Sequence, residues 1–394
     1  MNSPNLKYSA DYIHDGTGFV RGRVLVTDRQ GTVIDLVEES GAGEGVRHID
    51  GVLCPGFVNA HCHLELSHMK GRIPEHTGLV DFLLAVVSGR SFPEDQIAEA
   101  AHRAESSMLE EGIVAVGDIS NTALTAPLKA RGRLYYHTFV ETLGVQDADA
   151  GARLEGALAT REAFSALGLR ASVVPHAPYS VSGALMRAID RLDSGHMLSI
   201  HNQESDEENR LFQGKPSGLE RLYRAIGQQP LALSPARQSS LRAWLPRFTR
   251  RQPILAVHNT YCSGDDIRFA AASDHPFYWC LCPGANLYIE NRLPPVESLV
   301  SAQAAICLGT DSLASNHSLS ILEEIRHLGR GFGELTLETL LGWATREGAA
   351  ALAIGDRFGR LTLGTRPGIL QLHPVSGTPD LPRVTPLTRV LRIK

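Results

Sequence analysis

The chain contains no apolar run approaching the roughly 18 or more residues that a membrane-spanning helix requires. Its opening residues, Met1-Asn-Ser-Pro-Asn-Leu-Lys7, carry neither the basic nor the apolar region of a signal peptide. A cytoplasmic protein with no membrane partner is therefore expected. Charge of one sign is not in excess: 38 basic and 43 acidic side chains leave a net charge of −5, which gives no electrostatic footprint for nucleic acid. Cysteine numbers six (Cys54, Cys62, Cys262, Cys280, Cys282 and Cys307), without CxxC spacing or the density of a disulfide scaffold. These read as reduced, buried thiols. Cys280-Leu-Cys282 ends an apolar run at Pro283-Gly284 and is expected to pack in the core. There is no repeat and no low-complexity tract.

What the chain does have is length and apolar content. With 394 residues, 43% of them hydrophobic, it can bury one large α/β barrel or two ordinary domains. Between residues 51 and 311 eight β-rich runs recur with polar-faced, helix-like stretches between them: 52–63, 112–119, 133–141, 169–176, 196–201, 253–258, 276–283 and 304–311. That alternation predicts repeated βα units closing as a TIM-like (β/α)8 barrel over 51–354. The ends, 1–50 and 355–394, read as short strands and are expected to form one small β domain. Two long loops are expected at 64–94 and 202–252, on the face where such barrels carry their chemistry. The arginines of the second (Arg237, Arg242, Arg247, Arg250 and Arg251) read as a solvated helix face.

Ionisable residues gather at the ends of these runs: His61 and His63, Asp118, Glu141, His176, His201, His258 and Asp311. So many such groups at one rim would be costly to bury unless they paired or bound metal. In Pro55-Gly-Phe-Val-Asn-Ala-His-Cys-His63, strand geometry points residues i and i+2 to one face, so His61 and His63 can converge on an ion while Cys62 turns away.

With Pro175-His-Ala-Pro-Tyr-Ser-Val-Ser182, His201-Asn-Gln-Glu204, Val257-His-Asn259 and Leu308-Gly-Thr-Asp311, this segment makes the chain resemble the amidohydrolase superfamily over nearly its whole length. The resemblance is to the mononuclear deaminase branch, which includes adenosine, cytosine, guanine and S-adenosylhomocysteine deaminases. It implies that His61, His63, His201 and Asp311 ligate one divalent metal, zinc first and iron(II) as the alternative. Binuclear relatives bridge two metals with a carboxylated lysine at the fourth strand end. None of the five lysines here (Lys7, Lys70, Lys129, Lys215 and Lys394) falls at a strand end, and the fourth run carries His176, which argues for a single metal.

By the same resemblance Glu204 is the acid that protonates a ring nitrogen, Asp311 takes a proton from the attacking water, and His258 orients that water. His176, Ser315 and Asn316 would contact a nucleoside, and Glu65 would either hold a ribose hydroxyl or pair with Arg72. Glu207 and Glu208 read as ordinary acids in a first helical turn. The implied activity is hydrolytic deamination of a 6-aminopurine nucleoside, best of all aminodeoxyfutalosine on the route to menaquinone. Adenosine, methylthioadenosine and S-adenosylhomocysteine are the other nucleosides implied. The alternatives are a free-base deaminase acting on guanine, cytosine or a pterin, and a chlorohydrolase on the same scaffold. The expected partner is a small-molecule substrate, with homo-oligomerisation left open.

Overall fold

The computed structural model describes residues 5–192, 197–232, 237–378 and 381–393. Eight strands follow the expected order: β1 Phe57–Cys62, β2 Ile113–Ser120, β3 Tyr135–Thr142, β4 Arg170–Pro175, β5 Leu198–Asn202, β6 Ile254–His258, β7 Phe277–Leu281 and β8 Ala305–Leu308. They form two four-stranded arcs, β1-β2-β3-β4 and β5-β6-β7-β8. Pairing is parallel throughout the second arc and between β3 and β4. A few links join the arcs at the C-terminal rim, among them the Thr310 N–H to the His61 carbonyl at 2.9 Å. Cys62 and Asp311 form an isolated parallel bridge, and the His201 N–H donates to the His176 carbonyl at 2.9 Å. This is the expected TIM-type barrel. Strands such as Ile254-Leu-Ala-Val-His258 are buried at every residue, as a parallel strand covered on both faces must be.

The first expected run, 52–63, is divided in the structure. Residues 52–55 end the strand Val46–Pro55 of a separate sheet, and β1 begins at Phe57. Gly56 makes the break, because a Cβ there would lie 2.3 Å from Val114 Cγ1 and 2.7 Å from the Pro367 carbonyl oxygen. The separate sheet has the order Leu381–Arg392, Ile369–Thr378, Val46–Pro55, Leu6–His14, Arg23–Thr27 and Val33–Glu38, with Phe19–Val20 added to Leu6–His14. Both chain ends therefore share one sheet. It is not a simple meander, since Leu6–His14 pairs parallel with Val46–Pro55. Residue 196, the expected start of the fifth run, lies outside the described residues.

The chain divides into two compact units, Met1–Ala60 with Ser106–Val116 and Ser320–Lys394, and His61–Glu105 with Gly117–Leu319. Every candidate site residue falls in the second.

The two expected loops are largely helical. Residues 64–94 hold the 3-10 turn Leu64–Met69 and the helix Leu79–Gly89, and residues 202–252 hold the helices Asp206–Phe212, Leu219–Ala225 and Ser240–Trp244. Leu79, Val80, Phe82 and Val86 share one apolar cluster with Leu211, Phe212, Leu219, Leu222 and Tyr223. The arginines there do not form one helix face: Arg242 lies in Ser240–Trp244, Arg247 in a 3-10 turn, and Arg251 pairs with Asp274 at 2.8 Å.

Candidate active site

Four groups converge at the rim: His61 from β1, His63 just beyond it, His201 from β5, and Asp311, three residues past β8. One ligand atom from each lies within 4.8 Å of the others. His63 Nε2 is 3.1 Å from His61 Nε2, 3.2 Å from His201 Nε2 and 3.3 Å from Asp311 Oδ1. His201 Nδ1–H donates to the His176 carbonyl at 2.8 Å, which leaves the Nε2 lone pair facing the cluster. Burial lowers the pKa of all three imidazoles, most strongly that of His201, so they are neutral as ligation demands. Burial works to raise the Asp311 carboxyl, but the His61, His63 and His258 side chains around it outweigh that and hold it well below the usual range.

Lone pairs aimed at one another in a buried site repel unless a cation sits among them. The separations His61–His63, His63–His201, His63–Asp311 and His61–Asp311, 3.1 to 3.6 Å, lie near the edge of roughly 3.3 Å that metal–nitrogen bonds of ~2.0–2.1 Å give in a tetrahedron, and all four ligand atoms lie within 4.8 Å of one another. The donor set fits one divalent ion.

Beside this cluster stand His258, ending β6, and Glu204, three residues past His201. His258 Nδ1 is 2.9 Å from Asn286 Oδ1, and Asn286 Nδ2 donates to the His258 carbonyl at 3.4 Å. That second bond fixes the amide orientation, so Nδ1 carries the proton and the lone pair on Nε2 faces Glu204 Oε1 at 3.6 Å. Burial drives the Glu204 carboxyl well above its ordinary range, with the charges of Asp311 and Glu290 adding to the effect. Gln203, His258, Asn259 and Asp311 all hold positive φ (46°, 72°, 59° and 56°), a conformation that costs non-glycine residues about 1–3 kcal/mol each. Such strain is retained where the surroundings fix side chains for chemistry.

The remaining expected site residues divide. His176 lines the cavity over the cluster, with Nδ1 2.6 Å from Ser180 Oγ. Glu65 turns from it: its carboxylate accepts the N–H groups of Asn121 (3.0 Å) and Thr122 (3.2 Å) and the Thr122 hydroxyl (2.8 Å), while Arg72 Nε donates to the His68 carbonyl. Ser315 is fully buried and donates to Asp311 Oδ2 at 2.5 Å, and Asn316 Nδ2 holds the Thr310 carbonyl at 2.9 Å. Both brace the Asp311 loop.

Three features go beyond the sequence expectations. Lys129, from a short helix after β2, reaches Asp118 Oδ2 at 2.6 Å, and both side chains are completely buried. Glu141 is held through Oε2 by Asn121 Nδ2 at 3.0 Å. Glu208 is no ordinary first-turn acid, because it is buried and accepts from the Gln203 N–H at 3.0 Å and from Ser240 Oγ. Each depends on a partner far away in sequence or across a turn, which composition and periodicity do not reveal.

The cavity over the cluster has a volume of about 360 Å³. Its floor is His63, His201, His258, Glu204 and Asp311. One wall is apolar, built by Leu79, Phe82 and Val86 with Leu222 and Tyr223, and the rim carries Arg90 and Arg153.

The amidohydrolase family model matches residues 52–384, so the chain belongs to the amidohydrolase family. Among curated relatives, the adenosine deaminase of Helicobacter pylori is 28% identical over 317 residues, covering 77% of this chain and 75% of the relative. Among solved structures, Helicobacter pylori aminofutalosine deaminase in complex with methylthio-coformycin superposes with a TM-score of 0.81 at 23% identity, over 95% of this chain and 94% of that one. An adenosine deaminase from Xanthomonas campestris with bound zinc gives 0.72 at 20% identity, over 95% and 88%. These two structures support the fold.

Proposed function

We propose that the chain is a mononuclear, metal-dependent deaminase that hydrolyses the 6-amino group of a purine nucleoside and releases ammonia. The observation that carries the reading is a buried carboxyl, Glu204, 3.6 Å from His258 Nε2 and beside a four-ligand cluster at one cavity; burial drives that carboxyl upward, toward the protonated form. His61, His63, His201 and Asp311 would hold the ion, with zinc favoured by the three-imidazole, one-carboxylate donor set. When bound, the metal supplies Lewis-acid activation of a water. Asp311 accepts the proton from that water, and the Ser315 hydroxyl, which donates to its Oδ2, fixes the carboxylate. His258 Nε2 orients the attacking oxygen. Glu204 delivers its proton to the ring nitrogen beside the carbon under attack, which neutralises the charge that attack places there; the proton taken up by Asp311 passes to the exocyclic amine as the C–N bond breaks and ammonia leaves, and the hydroxyl proton returns to Glu204 as the carbonyl forms.

The apolar wall and the cavity's size suit a substrate larger than a bare base. Aminodeoxyfutalosine is the preferred candidate, with adenosine, methylthioadenosine and S-adenosylhomocysteine as others. The adenosine deaminase of Helicobacter pylori supports a nucleoside substrate by kinship. We assign the chemistry to residues 51–354, with 1–50 and 355–394 as the small β domain, and place the protein in the cytoplasm on a menaquinone-forming route. The test is steady-state kinetics across nucleosides, guanine, cytosine, pterins and chlorotriazines, with ammonia and chloride as readouts. A nucleoside should give the highest kcat/KM, and free adenine should lose kcat as well as binding, because remote contacts are realised in the transition state. A free base with the highest kcat/KM, or chloride as the main product, would replace this reading.

A further inference from the structure

Among the groups lining the cavity is a carboxylate, that of Glu141, that the proposed reaction does not use. Glu141 ends β3 and is 7% exposed. Its Oε2 is fixed by Asn121 Nδ2 at 3.0 Å, and Asn121 is itself fixed from two other sides. The Asn121 N–H donates to Glu65 at 3.0 Å, and its Oδ1 accepts from Arg90 at 3.1 Å, so its amide cannot turn over without losing a bond. Glu141 Oε1 is buried and has no hydrogen-bond partner among the described residues. The nearest N–H, His201 Nδ1 at 3.6 Å, is already committed to the His176 carbonyl at 2.8 Å. A buried acceptor this firmly positioned calls for a donor that arrives with the ligand.

We infer that Glu141 is the residue that recognises a sugar hydroxyl of the substrate, an inference that rests on the nucleoside reading of the site. The chemistry of a 6-aminopurine nucleoside leaves little choice. Ring positions N1, N3 and N7 are all acceptors, and the base's only N–H donor is the 6-amino group. That amine must sit at the metal cluster to be lost, beside Glu204. The donors left to meet Glu141 Oε1 are the hydroxyls of the sugar. Glu65, which the sequence offered for this task, is not available for it, because both its oxygens are occupied by the 121–122 loop.

Glu141→Gln isolates the effect. Its amide oxygen must take the place of Oε2 to keep the bond from Asn121, which turns an NH2 donor toward the cavity where an acceptor stood. Wild-type enzyme should prefer the ribonucleoside over its 2′-deoxy or 3′-deoxy analogue by at least about tenfold in kcat/KM. In Glu141→Gln that preference should collapse toward unity, chiefly through loss of rate with the ribonucleoside, at unchanged metal content. Glu141→Ala, which removes both oxygens, should show the same collapse. An unaltered preference in both variants, or a wild-type enzyme indifferent to both deoxy analogues, overturns the inference while leaving the deaminase reading intact. A metal-replete wild-type protein that turns over no nucleoside overturns both.

Discussion

In the proposed mechanism Glu204 separates proton transfer from metal binding at the scale of a single residue. It is not among the four convergent ligands, so Glu204→Gln should keep its metal by elemental analysis yet lose roughly two to four orders of magnitude in kcat. Near-normal turnover, or loss of the ion, would remove it from the mechanism. A second residue-scale outcome concerns the buried Asp118–Lys129 pair, in which Asp118 Oδ1 also accepts the Leu64 N–H at 2.8 Å. Lys129→Met leaves a buried carboxylate without its cation and should cost about 3–5 kcal/mol in chemical denaturation. Asp118→Asn combined with Lys129→Met keeps the acceptor for Leu64 and should recover most of that loss. No recovery would mean that Lys129 acts through its bonds to Ser120 and Thr138 instead. At this scale the cluster is legible in the sequence, because run-end position and the i, i+2 rule are local properties. The tasks of Glu65 and Ser315 are not, since each is decided by a partner, the 121–122 backbone or the Asp311 carboxylate, that only the folded chain brings within reach.

At the scale of elements, the eight barrel strands lie close to where the apolar runs put them, because a strand buried on both faces must be a continuous apolar run. The first run is the exception. Pro55-Gly56 is a breaker inside the run of residues 52–63, but it does not announce that the two halves belong to different sheets, which depends on how closely Val114 and Pro367 approach Gly56. The segments 64–94 and 202–252 read as loops because their helices are short and their apolar faces meet one another, leaving weak periodicity in either alone. One of those helices carries a pH-dependent element of stability. Burial raises the Glu208 carboxyl from 4.5 to about 8, against the opposing bonds from Ser240 and Gln203. The folded chain therefore binds more protons than the unfolded chain between those values. The contribution is complete below about pH 4.5 and is lost as pH rises through about 8. Glu208→Gln keeps an acceptor for the Gln203 N–H and cannot ionise. Denaturation midpoints measured from about pH 5 to about pH 8 should fall in the wild type by the equivalent of a few kcal/mol at most, and fall less in the variant. Parallel slopes would show that Glu208 ionises in the folded chain much as it does in the unfolded one.

At the scale of the whole molecule, the cluster ties together His61 in β1, His63 just beyond it, His201 in β5 and Asp311 in the loop after β8, residues 250 positions apart at the extremes. An ion bound there stabilises only the folded chain, because the unfolded chain holds no such arrangement of ligands. Without it, three neutral imidazoles and a carboxylate would direct lone pairs at one another in a buried site. Purified protein should therefore contain about one divalent metal per chain, the stoichiometry of a mononuclear open site. Removal by a chelator should lower the melting temperature and abolish turnover, and one equivalent of zinc should restore both. Stabilisation should grow with free metal as RT ln(1 + [M]/Kd), reaching about 2.7 kcal/mol at a hundredfold excess over Kd. The second acidic and imidazole grouping near the rim, Glu141 with His176 and His201, shares His201 with the first, and its Nδ1 is committed to a backbone carbonyl. That sharing argues against a second ion. Two metals per chain, both needed for turnover and both contributing to the melting temperature, would contradict the mononuclear assignment and reopen the choice of mechanism.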